Sequence, residues 1–143
     1  MAIKFYRLKD PHGYMGNFYP SKVFVYGKWF KNVEAAFQAQ KTPVEAEVLA
    51  IQNASKPMEA RNLGQKCQLR ENWEQIKDIV MYECVLAKFV QHKDLREQLV
   101  ATGDEELIED SPVDWTWGCG KDGTGKNLLG KALMRVRREL RGE

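Results

Sequence analysis

The stretch that decides the fold of this chain is VEAAFQAQK, residues 33–41. Asn32 precedes it and offers a side-chain oxygen to a free N–H of a first helical turn. Thr42-Pro43 follows it, and a proline disfavours helical geometry for the residue before it. The segment therefore predicts a short helix that begins after Asn32 and ends before Pro43.

One face of this predicted helix carries three polar side chains. At about 100° per residue, Glu34, Gln38 and Lys41 fall on the same side. A surface helix whose acid complements the positive end of the helix dipole explains this face. A catalytic site that uses an acid, an amide and an amine explains it equally well, so the spacing alone leaves both interpretations open.

Length and composition indicate one domain that spans residues 1–143. Hydrophobic residues make up 43% and charged residues 29% of the chain, and the net charge of +2 does not demand a nucleic-acid partner. No apolar run approaches the roughly 18 residues of a membrane span, and the N-terminus has no apolar signal region. We expect no membrane partner and a cytoplasmic location. Three cysteines and two histidines predict free thiols, with neither a metal site nor a cofactor.

The order of patterns along the chain predicts a mainly helical α+β fold with a small N-terminal hairpin. Residues 23–26 and 29–30 form the hairpin around Gly27-Lys28, and short strands are expected at residues 3–7 and 106–109. Gly64 is expected to end a helix in the left-handed conformation. Further helices are predicted for residues 44–53, 55–64, 73–92, 94–102 and 127–140.

Lys88 stands inside the apolar run 85–90 of the longest predicted helix. That helix has more than one apolar stripe, which indicates that it runs through the core. Lys88 either extends along the helix to water or is a buried lysine with a functional role.

The glycine-rich segment 114–127, DWTWGCGKDGTGKN, contains two misleading motif matches. Gly118, Gly120 and Gly123 fit GxGxxG, but no βαβ unit surrounds them. Residues 120–126 fit GxxxxGK, but Asn127 stands where a nucleotide triphosphatase has Ser or Thr. Both functions are therefore unfavoured.

The same segment still has the chemistry of a ligand site. Its glycines let backbone N–H groups approach an anion, and the following helix N-terminus favours phosphate. Trp115 and Trp117 offer flat faces for a base or sugar, and Asp114 offers a carboxylate. The competing interpretation is a structural loop packed with aromatic side chains.

Taken together, the motifs of this chain resemble the YbiA-like, or NADAR, family over nearly the whole length. The matching residues are Asn17-Phe18, Pro20, Trp29, Val33-Glu34, residues 37–41, Trp73, Met81, Lys88-Phe89, Thr102-Gly103, Glu109, Asp114, Trp117-Gly118, Gly120, Asp122-Gly123, Gly125, Asn127-Leu128, Gly130, Leu133-Met134 and Arg137. One departure is Ala35, where the family usually has histidine.

The resemblance implies an N-glycosidase that splits a bond between a ribose carbon and a nitrogen. Family substrates include phosphorylated pyrimidine intermediates of riboflavin synthesis and ADP-ribose attached to guanine. We therefore expect a nucleotide-like small molecule as the partner, with ADP-ribosylated guanine in nucleic acid as a second form. A non-catalytic module that binds ADP-ribose is the alternative, and Ala35 keeps it open.

The resemblance also implies the site residues. Glu34 and Asp114 are expected to be the catalytic carboxylates, and Lys41 a phosphate ligand or an amine nucleophile. The expected substrate-binding residues are Asn17, Phe18, Gln38, Trp73, Lys88, Trp117, Gly118 and Asn127, and Trp29 is expected to be structural. We predict that Glu34 and Asp114 face one cleft, about 5–10 Å apart as in glycosidase pairs, with Lys41 and Lys88 lining it.

Overall fold

Six helices carry most of the chain in the computed structural model, which describes residues 1–143. They are α1 Val33–Ala39, α2 Glu45–Gln52, α3 Pro57–Lys66, α4 Trp73–Gln91, α5 Lys93–Ala101 and α6 Leu128–Leu140. All six were predicted from the sequence, within a few residues at their ends. None of the helices combines the length and the apolarity that crossing a bilayer would require.

Four short strands form two separate pairs. Strand β1, Ala2–Phe5, runs parallel to β4, Glu106–Glu109, and strand β2, Val23–Val25, pairs antiparallel with β3, Lys28–Phe30. Tyr26 and Gly27 join β2 to β3 with φ angles of 53° and 78°. Two consecutive positive φ angles are typical of a tight hairpin turn that matches the twist of the strands. The α+β class and the small hairpin are confirmed.

Helix α1 lies at the centre of the helical layer and packs against α2, α3 and α4. Asn32 caps it as predicted, because its side-chain oxygen accepts the Ala35 N–H at 2.8 Å. All seven residues of α1 are buried, Glu34 at 3% and Gln38 at 5% exposure. The surface-helix interpretation is therefore wrong, and two polar side chains of α1 sit inside the protein.

Gly64 has a different role from the one predicted. Helix α3 continues through it to Lys66, so Gly64 is an interior helical residue rather than a left-handed cap. A β-carbon at this position would lie 2.0 Å from Oε1 of Gln38. Glycine is present because α1 and α3 approach too closely here for any side chain.

Two further expectations concern the cysteines and Trp29, and the structure agrees with the first but not with the second. Cys67, Cys84 and Cys119 are all free, as predicted. Trp29 lies on the hairpin surface at 55% exposure, with its ring 5.4 Å from that of Phe24, so it is not a core residue.

Candidate functional site

The carboxylate of Glu34 is buried and held by two donors. Its Oε2 accepts a hydrogen bond from Nε2 of Gln38 at 2.7 Å and from Nε of Arg61 at 3.2 Å. Gln38 lies one turn further along α1, so the predicted spacing produces this contact directly. Arg61 comes from α3. Its side chain is 36% exposed, so it links the buried acid to the surface. The site therefore starts from a negative charge fixed in place.

The segment Asn17-Phe18 covers the start of α1. The carbonyl oxygen of Asn17 accepts the N–H of Glu34 at 3.1 Å, which satisfies a free donor of the first turn. The guanidinium of Arg61 stacks over the ring of Phe18, 4.7 Å from its centroid. Both residues were predicted as substrate-binding, and both lie beside Glu34.

Asn17 and Gln38 each retain an unused polar atom. Nδ2 of Asn17 contacts Sδ of Met81 at 3.4 Å, while its Oδ1 is buried and has no partner. Oε1 of Gln38 is likewise buried and without a partner. Unpaired buried acceptors cost free energy, and a ligand hydroxyl or amide would satisfy them.

Several backbone N–H groups of the glycine-rich segment donate to carbonyl oxygens within the segment itself. The N–H groups of Asn127, Leu128 and Leu129, at the start of α6, donate to carbonyl oxygens of the same segment, those of Gly118, Thr116 and Trp117. These three N–H groups are therefore not free for a phosphate, and an anion site at this helix terminus stays a prediction.

Asn127 also belongs to the framework. Its Nδ2 donates to the carbonyl of Leu107 at 2.9 Å, and its Oδ1 accepts the N–H of Glu109 at 3.0 Å. Both ends of the amide tie the loop to β4, and the residue adopts a left-handed φ of 51°. The amide of Asn127 thus has a structural role in the fold, and its predicted role in substrate binding stays a prediction.

Asp114 is held by its own loop. Its Oδ1 accepts the N–H groups of Thr116 at 3.0 Å and Trp117 at 2.8 Å, which is a local turn typical of aspartate. Only the other carboxylate oxygen remains for a ligand. Gly118 follows directly, and a β-carbon there would lie 3.0 Å from Oε2 of Glu109 and from the Asp114 carbonyl. Gly118 thus makes room for a carboxyl group.

Two tryptophans flank Phe37 of α1. The rings of Trp73 and Trp117 each lie 5.2 Å from the ring of Phe37. Trp73 is 4% exposed and packs in the core, and its predicted role in substrate binding stays a prediction. Trp117 is half-buried and keeps a free surface. Its contact with Phe37 brings the glycine-rich segment against the second turn of α1, whereas the prediction placed it at the N-terminal end of that helix.

The two predicted lysines differ in placement. Lys41 is half-buried, and its pKa is lowered by burial, which the charge of Glu34 opposes and that of Arg61 reinforces. Lys41 therefore lies near the Glu34–Arg61 pair.

Lys88 is 1% exposed and donates to the carbonyl oxygens of Tyr14 and Gly16. Burial alone lowers its pKa to about 7, so no charged partner stands beside it. It fixes the backbone before Asn17, it does not reach water along the helix, and no contact places it with Glu34 and Asp114.

Glu109, at the end of β4, is the acid that the sequence analysis did not assign to the site. Burial raises the pKa of its carboxyl to about 7; the charges of Asp114 and Glu34 also raise it, and that of Arg61 lowers it. Its Oε2 is enclosed and has no hydrogen-bond partner. The pKa of Glu109 therefore depends on charged residues of α1, α3 and the glycine-rich loop.

We call Glu34, Arg61, Glu109 and Asp114 the charged cluster. Cavities of about 120 and 460 Å³ lie elsewhere on the molecule and include none of the four. That Glu34 and Asp114 face a single cleft, at the distance of a glycosidase pair, stays a prediction. The geometry supports a site where three acids and one guanidinium meet beside Phe18 and Trp117.

Comparison with known proteins decides the family. The family model described as NADAR domain matches residues 4–141. The chain belongs to the NADAR family. It is similar to the N-glycosidase Npun_R5314 of Nostoc punctiforme, with 44% identity over 99% of this chain and 94% of that protein.

Two further relatives extend this picture within the NADAR family. The N-glycosidase YbiA of Escherichia coli is 41% identical over 96% of this chain and 88% of its own length. Its NMR structure superposes with a TM-score of 0.90, at 40% identity over 98% of this chain and 84% of that one. The riboflavin biosynthesis protein VVA0006 of Vibrio vulnificus is 40% identical over 96% of this chain, which spans 38% of that longer protein.

Proposed function

We propose that this protein is an N-glycosidase that hydrolyses the bond between ribose C1′ and a base nitrogen in a nucleotide-like substrate. The observation that carries the proposal is the buried carboxylate of Glu34, fixed by Gln38 and Arg61 at the edge of the charged cluster. Cleavage of an N-glycoside builds positive charge on the ribose ring, and a preorganised carboxylate stabilises that charge without reorganising. Relatives of similar length that are named N-glycosidases support the same reaction.

Glu34 serves as the charge stabiliser in this scheme. Its position is rigid because α1 is buried throughout and because two donors hold one of its oxygens. Arg61 keeps the side chain in one geometry, and the same guanidinium lies over Phe18. Rigid placement matters because the benefit of a charge falls quickly with misalignment.

Asp114 and Lys41 serve the sugar and the phosphate. Asp114 presents its free carboxylate oxygen to the ribose, since backbone N–H groups occupy the other. Lys41 lies beside Glu34 and Arg61, where an ammonium group would bind a phosphate on the ribose. Its lowered pKa also makes the neutral amine more accessible, which an attack on a ring-opened sugar would require.

The partly exposed ring of Trp117 suits the base. The ring packs against Phe37 of α1, and Trp117 belongs to the same loop as Asp114. Stacking on an aromatic face is worth about 1–3 kcal/mol per base and tolerates different bases. The substrate class that we propose is phosphorylated aminopyrimidine ribosides of riboflavin synthesis, with ADP-ribosyl-guanine as the second candidate. The name of the Vibrio vulnificus relative supports the first.

The test is direct incubation followed by mass spectrometry. The purified protein is mixed with phosphorylated aminopyrimidine ribosides and, separately, with ADP-ribosylated guanosine. Release of free base together with sugar phosphate from the first, or of guanosine together with ADP-ribose from the second, is the expected result. Tight binding without release would overturn the enzymatic proposal and favour a binding module, for which Ala35 is the sequence argument. Glu34→Gln is the matched inactive control.

A further inference from the structure

Glu109 is the one member of the charged cluster whose carboxyl has no assigned partner. Its backbone is tied on both sides, because its N–H donates to Asn127 and its carbonyl accepts from Cys119 at 2.9 Å. Its Oε2 is enclosed against Gly118 and receives no hydrogen bond. We propose that Glu109 carries a proton in the resting enzyme and donates it to the leaving base nitrogen. This inference rests on the proposed function.

The hydrogen bonds distinguish Glu109 from Asp114 as the proton donor. Two backbone N–H groups donate to Oδ1 of Asp114, so this oxygen already has its partners. No N–H or O–H group points at Oε2 of Glu109. An enclosed carboxylate oxygen that accepts no hydrogen bond disfavours the charged form, so Glu109 is the acid of the cluster that is protonated most easily. Glu109 is therefore the carboxyl of the charged cluster whose surroundings suit a proton carrier.

The charges around Glu109 act in the same direction. Asp114 from the loop and Glu34 from α1 both oppose a further negative charge. Arg61 from α3 is the only opposing cation, and its Nε is already engaged with Glu34. On β1, the residue in register with Glu109 is the uncharged Phe5. With burial as the largest cause, the pKa of Glu109 rises to about 7, which suits a group that gives up its proton near neutrality.

The step balances without a co-reactant other than water. As the C1′–N bond breaks, its electron pair goes to the base nitrogen, and the Glu109 O–H proton moves to that nitrogen. Glu34 faces the positive charge that develops on the ribose. A water oxygen then bonds to C1′ and releases one proton to solvent, and Glu109 takes up a proton from solvent for the next cycle. The products are the neutral base and the free sugar phosphate.

The first test is a titration that needs no substrate. Wild-type protein labelled with ¹³C at glutamate side chains is followed by NMR from pH 4 to 9, and Glu109→Gln identifies the resonance. We expect Glu109 to titrate near pH 7, and to titrate at lower pH in Asp114→Asn, because one like charge is gone. Titration of Glu109 near its ordinary value of 4.5 would overturn the proposal.

The second test uses two leaving groups. Glu109→Gln should lose about 10²–10⁴-fold in kcat on an aminopyrimidine riboside phosphate, whose nitrogen must be protonated. It should lose less than about tenfold on p-nitrophenyl ribose 5-phosphate, whose leaving group departs unprotonated. Equal loss on both substrates, or no loss on the first, would overturn the proposal.

Controls keep this test readable. Glu106→Gln changes an exposed acid of the same strand and should leave both rates unchanged. Glu109→Asp retains a carboxyl, so its kcat on the aminopyrimidine riboside phosphate should lie between those of wild type and Glu109→Gln. If wild-type protein cleaves neither substrate, the proposed function itself is overturned. The NMR titration is independent of this outcome, because it reports the resting proton on Glu109 without substrate.

Discussion

The guanidinium of Arg61 reaches from α3 to the carboxylate of Glu34 on α1, with Nε 3.2 Å from Oε2. The two residues differ in exposure, since Glu34 is 4% and Arg61 36% accessible at the side chain. A pair of this kind stabilises little by itself, because desolvation of the acid offsets most of the attraction. Its value lies in orientation, since it fixes a buried negative charge next to the open side of the protein.

Glu34→Gln is therefore expected to remove catalysis with little loss of structure. Glutamine keeps the shape and can still contact Gln38, while the charge that stabilises the transition state is gone. We expect kcat to fall by about two to four orders of magnitude. Steady-state kinetics and a melting curve measure the two effects together.

Glu97→Gln is the matched control for Glu34→Gln, because it removes an exposed acid of α5. It should leave both turnover and melting temperature unchanged. A well-folded Glu34→Gln protein with wild-type turnover would remove Glu34 from the mechanism.

Local sequence information was sufficient for α1 and insufficient for the site around it. The cap at Asn32 and the contact between Glu34 and Gln38 follow from spacings of three and four residues, which helical geometry fixes. Arg61 joins Glu34 only because α3 packs on α1, and nothing in residues 57–66 indicates that partner. Long-range packing, which has no local pattern, decides which charges meet.

Glu109 illustrates the same limit. The short strand 106–109 was predicted, but the significance of its last residue depends on Glu34, Arg61 and Asp114, each from a different part of the chain. The glycine-rich segment shows the reverse case, since its motif suggested an anion cradle, but the N–H groups of Asn127, Leu128 and Leu129 donate to carbonyl oxygens of the segment itself. The composition of residues 114–127 predicts a loop, whereas the hydrogen bonds of its N–H groups determine whether that loop can bind an anion.

Trp117→Phe tests the base-stacking surface. The indole contacts Phe37 at 5.2 Å and retains exposed area, so a smaller ring keeps the packing and loses part of the platform. We expect KM to rise by about fivefold to thirtyfold, from a loss of about 1–2 kcal/mol of stacking, with a smaller effect on the melting temperature. Trp73→Phe, at the buried face of the same Phe37, should show the opposite order. A Trp117→Phe protein that mainly loses thermal stability would assign Trp117 to the core.

Gly64→Ala tests the close approach of α3 to Gln38. The new β-carbon would lie 2.0 Å from Oε1 of Gln38, so the amide must move and its 2.7 Å bond to Glu34 is disturbed. Overpacking of this kind costs about 1–3 kcal/mol of stability, although alanine is the better helix former by about 1 kcal/mol. We expect a lower midpoint in urea and a reduced kcat.

Gly16→Ala is the control for Gly64→Ala. The nearest atom to a β-carbon at Gly16 is 3.4 Å away, so the substitution should be tolerated. Unchanged stability and kcat in Gly64→Ala would show that Gln38 does not position Glu34.

Lys88 predicts a pH dependence of stability. Its pKa in the folded protein is about 7, against an ordinary value of 10.5, because burial disfavours the charged amine. Between these pH values the unfolded chain binds a proton at this position that the folded protein does not. The free energy of unfolding contributed by Lys88 therefore increases as the pH rises from about 7 to about 10, by up to about 1.4 kcal/mol per pH unit.

Lys88→Met isolates this contribution. Methionine has a similar length, but it leaves the carbonyl oxygens of Tyr14 and Gly16 without their donor, at a cost of about 1–3 kcal/mol at every pH. Urea unfolding at pH 6.5, 8 and 9.5 gives the difference between wild type and variant, in which all other titrating groups cancel. That difference should grow with pH, whereas it should stay flat for Lys93→Met, a lysine 79% exposed at the side chain. A Lys88 difference that is constant or shrinks across this range would mean that Lys88 stays charged in the folded protein. Its two carbonyl partners and the rings of Tyr19 and Phe89 would then suffice to hold a buried ammonium.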